Sequence, residues 1–315
     1  MKPFELVKAK TVDEAAAALR GGACVIAGGT DLVGRLKDNI LPDYPEALVD
    51  ITGIPGLDGI AEEGGVLRVG ALARLADIAA SPLINEGYTA LAEAAGRAAS
   101  PNIRNMATLG GNVAQLNRCW YFRKPENRFH CLRKGAAGCF AKTGDNRFHS
   151  VFGDDRGCYS VSPSDTAPAL ITLGAMVVTN KRVVGAEGFF AVGAPGGTVL
   201  EPDEIITGFR IKRPAAGAKS AFLKMAWRKS IDFPVVNCAV VTGESPVICL
   251  GAVAPTPYRA REAEAVIAGI LIDERIAAAA GAAAVSLARP LPASAYKAQI
   301  AQALVKRALL IAASR

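Results

Sequence analysis

The sequence predicts an α+β protein assembled in successive parts, and three observations carry that reading. From the N-terminus to Ile211, short apolar runs alternate with helical patterns and glycine turns. Lys212-Arg213-Pro214-Ala215-Ala216-Gly217 then has linker composition. Beyond it, strand-like runs are followed by Ala-rich helical stretches, the order expected of a small antiparallel sheet covered by helices. The 315 residues suffice for two or three compact units, and 51% hydrophobic against 21% charged residues excludes a disordered chain. The longest uncharged stretch, Thr166 to Asn180, is shorter than the roughly 20 apolar residues that span a bilayer. Met1-Lys2-Pro3-Phe4-Glu5 lacks an apolar signal core, which points to the cytoplasm unless a partner carries the chain across a membrane.

Thr11-Val12-Asp13-Glu14 opens a helix by capping-box logic, and Gly21-Gly22 ends it. Ala23 to Ala27 reads as a buried strand, Gly28-Gly29 as a turn, and Thr30-Asp31 as a cap for the segment Leu32 to Asn39. Ala47 to Ile51 and Gly65 to Gly70 are strands. Leu75 to Ile84 and Tyr88 to Ala99 are helical, and Met106 to Asn117 carries a second Gly-Gly turn. Ser164 to Met176 reads as a helix feeding the strand Met176 to Thr179, and a further strand reaches Ile211. The last part places strands at Ala221 to Lys224, Val235 to Thr242 and Val247 to Val253. Helices follow at Arg261 to Ile270, Glu274 to Leu287 and Ala295 to Ala313.

Val25-Ile26-Ala27-Gly28-Gly29-Thr30-Asp31-Leu32 is strand, glycine turn and helix start. Glycines without Cβ atoms let an anion approach the backbone, and N–H groups of a first helical turn point at it with the positive end of the dipole. A tight βα turn without a ligand explains the same residues, and Asp31 opposes an anion. Asp50 lies where a dinucleotide-binding acid would belong, but Thr30 and Val33 occupy the positions where G-x-G-x-x-G needs glycine. A second element, Ala107-Thr108-Leu109-Gly110-Gly111-Asn112, repeats the chemistry, and two such turns can clamp one diphosphate from two sides.

Cysteine and charge are both concentrated. Between Cys119 and Cys158 lie four of the seven cysteines, both histidines and seven of the nineteen aromatic residues. Eight Lys or Arg face four acids there, which is more than half of the net charge of +7. Cys24, Cys238 and Cys249 sit in apolar runs and read as scattered buried thiols. The other four follow C-x11-C-x7-C-x18-C, with charged and glycine-rich flanks and no C-x2-C pair. Four thiolates around an iron–sulfur cube, with basic residues and N–H donors offsetting its negative charge, fit that pattern. Zinc on the four thiolates, or on three with His130 or His149, stays open. So does a cluster- or zinc-bearing nucleic-acid-binding protein, given the basic residues interleaved with Trp120, Tyr121, Phe122 and Phe129.

The two glycine elements resemble the FAD-diphosphate loops of the flavoprotein subunit of molybdenum hydroxylases, the xanthine dehydrogenase and carbon monoxide dehydrogenase family. Further matches follow in the family's order: Ser164 to Leu170, Phe189-Phe190, Thr198 to Ile206, Phe222-Leu223-Lys224 ahead of Arg228, and Leu250 to Pro257. The resemblance implies a two-part FAD-binding domain of the vanillyl-alcohol-oxidase and CO dehydrogenase flavoprotein type, over 1–58 and 59–212, then an α+β domain over 213–315. It implies FAD on Val25 to Leu32 and Thr108 to Asn112, Asp165 near the ribityl and diphosphate region, Ile206 near the isoalloxazine and Lys224 at its polar edge. A bulky residue at Gly110 is then expected to cost flavin before it costs folding. The cysteine-rich insert, 117–160, resembles that of members with an extra 4Fe-4S cluster, 4-hydroxybenzoyl-CoA reductase and certain bacterial aldehyde oxidoreductases. It implies Cys119, Cys131, Cys139 and Cys158 as ligands. The partners implied are a large molybdenum-cofactor subunit, a small 2Fe-2S subunit and an external electron donor or acceptor, with no nucleic acid and no membrane insertion. A stand-alone flavin oxidase is the remaining alternative.

Overall fold

The computed structural model describes residues 1–191 and 196–315. Its first layer is a parallel sheet of β1 (Glu5–Lys8), β2 (Cys24–Ile26) and β3 (Ala47–Asp50), in the order β1-β3-β2. Parallel strands need crossovers, and α1 (Val12–Ala18) and α2 (Leu32–Lys37) supply them. At the start of α1, Thr11 Oγ1 accepts the Glu14 N–H (3.1 Å), while the Glu14 carboxylate accepts the Lys10 N–H (2.8 Å). Asp31 stands at the N-cap position of α2 but makes no cap bond, because its carboxylate is committed elsewhere.

The second sheet is antiparallel, with β4 (Ile60–Glu63), β5 (Val66–Gly70), β6 (Met176–Thr179), β7 (Val183–Gly185) and β8 (Ile206–Lys212) in the order β4-β5-β8-β6-β7. Between β5 and β6 run α3 (Leu75–Ala80), α4 (Pro82–Gly87), α5 (Thr89–Arg97), α6 (Pro101–Arg104), α7 (Leu109–Ala114) and α8 (Thr166–Thr172), and α9 (Ala186–Phe189) follows β7. The helix expected over Leu75 to Ile84 is broken in two. Ser81 precedes Pro82, whose ring disfavours helical backbone in the residue before it, and Ser81 is extended (φ −65°, ψ 118°). The second glycine pair lies in the first turn of α7, capped by Thr108, and is not an open turn.

The third sheet, β12-β11-β10-β9, joins β9 (Ser220–Met225), β10 (Val236–Val241), β11 (Val247–Gly251) and β12 (Tyr258–Arg259) in antiparallel register. Helices α10 (Arg261–Ile267), α11 (Glu274–Ala284) and α12 (Tyr296–Ala313) cover it. Val236, Cys238 and Val240 form one core there with Ala301, Val305 and Leu309. Small Ala side chains let the helices approach this sheet closely.

The cysteine-rich segment leaves the fold after α7 and returns before α8. Its stem closes where Arg118 and Val161 exchange two backbone hydrogen bonds (2.9 and 3.1 Å). Inside the stem, regular structure is limited to 3-10 turns at Pro125–Asn127, Leu132–Lys134 and Phe140–Lys142. Its later half is fastened to the C-terminal part. Val151 N–H donates to Val253 O (2.8 Å), Arg289 N–H to Val151 O (2.7 Å) and Ala293 N–H to Asn146 Oδ1 (3.0 Å). Among the described residues no helix is long and apolar enough to cross a membrane.

Candidate functional site

A cavity of about 330 Å³ opens where the end of β2, the start of α7 and the approach to β8 converge, a volume within the ordinary range of ligand pockets. Val25, Ala27, Gly28, Gly29, Thr30, Asp31 and Leu32 form one wall, Thr108, Gly110 and Gly111 a second, and Ile206 belongs to a third. The two glycine elements touch. A Cβ on Gly28 would stand 1.9 Å from Met106 O, so only glycine lets the loops meet, and Gly29 has a positive φ of 69°.

The two loops offer different chemistry to that space. Among the described residues, no backbone N–H from Gly28 to Asp31 has a protein acceptor. The corresponding donors of α7 are spent. Leu109 N–H bonds Ala73 O, Gly110 N–H bonds Ala71 O (both 2.9 Å), and Gly111 N–H bonds Thr108 Oγ1 (3.1 Å). The first loop therefore presents free donors, and the second presents a wall. A Cβ at Gly110 would lie 3.0 Å from Ala71 O, so a side chain there strains the fold directly. Gly110 also lines the cavity, so a bulky residue there meets both Ala71 and the cavity space.

Asp31 does not repel an anion, because it is outnumbered. Its carboxylate accepts from Arg123 (2.7 Å) and Arg118 (3.0 Å), with Arg35 at 3.8 Å. Burial pushes the Asp31 carboxyl up, but the Arg123, Arg118 and Arg35 guanidiniums outweigh it and hold it below the usual range. Three positive groups around one negative leave this wall net positive. Glu204, which also lines the cavity, is fully enclosed. Burial pushes it up, yet bonds from Arg182 (2.9 Å), Glu201 N–H (3.0 Å) and Thr179 (2.7 Å) hold it down at about 2.

Ile26, Leu109, Asn112, Asp165 and Lys224 do not line the cavity. Leu109 is core. Asn112 Oδ1 accepts from Ser164 Oγ (2.6 Å) and Thr166 Oγ1 (2.7 Å), fastening α7 to the start of α8. Lys224 and Asp165 form a buried ion pair at 2.8 Å, and Asn237 Nδ2 donates to the other carboxylate oxygen (2.9 Å). Arg35, Ala71, Leu72, Leu200 and Ile205 line the cavity without having been singled out individually. Ala71 and Leu72 arrive there because β5 pairs with β8, a non-local event that no short motif announces.

Cys119, Cys131, Cys139 and Cys158 line one narrow cavity together with Tyr121, Phe122 and Ser160. Burial pushes the Cys119 thiol up to about 12, the neighbouring thiols add to the rise, and the nearby Phe122 and Tyr121 N–H groups act against it. Arg133 lines this cavity, and the charge of Lys134 couples to two of its thiols. Burial lowers the Lys134 pKa, and Cys131 and Cys119 pull it back. Much of the remaining positive charge has other work: Arg123 serves Asp31, and Arg147 pairs with Asp145 (2.8 Å). His149 Nε2 lies 3.1 Å from Cys119 Sγ, whereas His130 is exposed and outside the cage. Phe122 is fully buried and Tyr121 packs against Phe129 and Phe140, while Trp120 stays exposed at the edge of the segment. Cys238 and Cys249 are core thiols as expected, but Cys24 is only partly buried and lines the larger cavity. Among the described residues, no group of three or more His, Cys, Asp or Glu side chains is disposed to hold a metal ion.

Residues 2–214 match the family model described as the FAD binding domain in molybdopterin dehydrogenase. The chain belongs to that family. Residues 221–312 of this molybdopterin dehydrogenase flavoprotein match the CO dehydrogenase flavoprotein C-terminal domain. It is 35% identical over 283 residues to the aldehyde oxidoreductase FAD-binding subunit of Escherichia coli K12, covering 84% of this chain and 86% of that one. It is 30% identical to the carbon monoxide dehydrogenase medium chain of Hydrogenophaga pseudoflava, covering 99% and 98%. The solved carbon monoxide dehydrogenase from the same organism, lacking the Mo-pyranopterin moiety, superposes with a TM-score of 0.76 at 30% identity, over 100% of this chain and 99% of that one. The flavoprotein is therefore an FAD-binding medium subunit of a molybdenum hydroxylase-type oxidoreductase.

Proposed function

We propose that this flavoprotein is the electron-transfer subunit of a multi-subunit molybdenum-dependent oxidoreductase and carries a 4Fe-4S cluster beside its FAD. The observation behind the reading is that four cysteines far apart in sequence share one cavity, on a segment whose arginines grip the wall of the flavin cavity. Four cysteine thiolates are the ligand set that a 4Fe-4S cube takes, and here they line one cavity. Bound FAD supplies two-electron chemistry that can be divided into single-electron steps. A cluster supplies a one-electron station.

The chain's own residues perform three tasks in this reading. The free N–H groups of Gly28 to Asp31 receive the diphosphate, and the positive charge of Arg35 in the wall, with Arg118 and Arg123 on Asp31 behind it, draws it in. Ile206 provides an apolar surface for the flavin ring. The buried Lys224–Asp165 pair, together with Asn112, fixes the junction between the sheets and supports the cavity from behind. The ligands are Cys119, Cys131, Cys139 and Cys158, with Lys134 offsetting their charge. Residues 1–58, 59–212 and 213–315 act as the three units.

Partners in this reading are a large molybdenum-cofactor subunit, a small 2Fe-2S subunit and an external electron donor or acceptor. Likeness to the aldehyde oxidoreductase subunit supports an aldehyde-oxidising complex. The deciding measurement is visible absorption with iron and flavin content per chain. Flavin maxima over a broad cluster shoulder, with about four irons per chain, support the proposal. A colourless zinc-containing chain, or flavin turnover without other subunits, overturns it.

A further inference from the structure

Lys297, at the start of α12, is 1% exposed, and no carboxylate pairs with it among the described residues. Its ammonium donates to three carbonyls: Ala252 O (2.5 Å), His149 O (3.0 Å) and Phe148 O (3.3 Å). Two of these belong to the cysteine-rich segment and one to the end of the third sheet. A buried ammonium is costly unless it is hydrogen-bonded and its charge is answered. The carbonyls meet the first need, and no ion pair meets the second.

His149, whose carbonyl Lys297 holds, is also 1% exposed, and its ring reaches the cage with Nε2 3.1 Å from Cys119 Sγ. Nδ1 has no partner among the described residues. A ligating thiolate carries no proton, so at this contact only the arrangement with Nε2–H as donor survives cluster binding. Resting on the cluster reading above, we infer that Lys297 and His149 are positioning residues of the cysteine cage. The ammonium locks the Phe148–His149 backbone to the C-terminal part, and the imidazole thereby directs one N–H at the sulfur of Cys119. Negative charge on a loaded cage would in turn answer the buried ammonium. Hydrogen bonds to cluster sulfurs favour the more negative, reduced form and so set its potential.

The test uses the full chain, purified with whatever subunits accompany it, and compares wild type with His149→Leu, His149→Gln and Lys297→Met. Iron and FAD per chain, the rate of iron loss to a chelator and the midpoint potential of the cluster signal are read. His149→Leu is expected to keep iron and FAD, shift the midpoint downward and lose iron roughly ten-fold faster, the lower end of the usual outer-ligand effect. His149→Gln, which keeps a donor, restores part of the shift. Lys297→Met moves potential and iron loss in the same direction while FAD stays stoichiometric. Unchanged potential and iron kinetics in His149→Leu overturn the inference even if Lys297→Met fails to fold. Complete iron loss in His149→Leu alone makes His149 a ligand and overturns the positioning role. A wild-type chain without iron overturns the cluster reading itself, which separates the two failures.

Discussion

At the glycine-lined cavity the working groups are mostly backbone, and at the cysteine cage they are side chains. The cavity wall is made by strand ends and first helical turns, where Gly28 is excluded from any larger residue by Met106 O and the donors from Gly28 to Asp31 are left free by the turn itself. The cage hangs on a segment with only 3-10 turns of its own, closed at the Arg118–Val161 stem and pinned by Lys297, Asn146 and Val151. A site made from backbone is carried by local geometry. One made from distant thiols depends on everything that holds the segment in place. Asp31 joins the two, since it belongs to the cavity wall and is bonded by both arginines that flank the start of the cage.

The sharpest way to separate the sites is Cys139→Ser. Iron is expected to fall from about four per chain to near zero while flavin stays stoichiometric, and loss of both together would show that the cage supports the cavity. Asp31→Ala attacks the joint. It leaves the Arg123, Arg118 and Arg35 guanidiniums without their partner, so a loss of about 3–5 kcal/mol in chemical unfolding is expected, with flavin and iron both reduced. Gly28→Ala should cost about 1–3 kcal/mol, since its Cβ would collide with Met106 O. It should lower flavin content and leave iron unchanged, the mirror image of Cys139→Ser.

The smallest effect concerns acid stability on the cavity side. Hydrogen bonds from Arg182, Glu201 N–H and Thr179 hold the Glu204 carboxyl at about 2 in the folded protein, below its ordinary 4.5. Because the folded value is the lower one, the stability it contributes is complete above about pH 4.5 and is lost as pH falls toward 2. Glu204→Gln should flatten that part of the acid limb in unfolding experiments. An unchanged limb would assign the acid sensitivity to other carboxylates, with Asp31 the first to examine.

The Gly28-Gly29 turn, the Thr11 cap and the Ala-rich helices of the third layer were legible because each rests on local backbone chemistry, whereas the second glycine pair proved to be the first turn of a helix. Residues such as Val25, Gly29 and Thr108 were placed at the cavity by motif alone. Asp31 stands at the N-cap position as expected, but its carboxylate is taken by Arg118 and Arg123, 87 and 92 positions away, which no local spacing records. Lys224, expected at the flavin's polar edge, pairs with Asp165 in the fold and lies outside the lining of the cavity.

By itself, the sequence determined the succession of α and β parts, the two glycine elements and the set of four cysteines, all of which follow from spacing and residue type. Only the tertiary structure decided that the first loop keeps its donors while the second spends them, that Asp31 is neutralised by the neighbouring segment, and that His149 rather than His130 reaches the cage. Hydrogen bonds and ion pairs between distant residues are set by sheet pairing and docking, and linear spacing carries no record of which partners those events bring within reach.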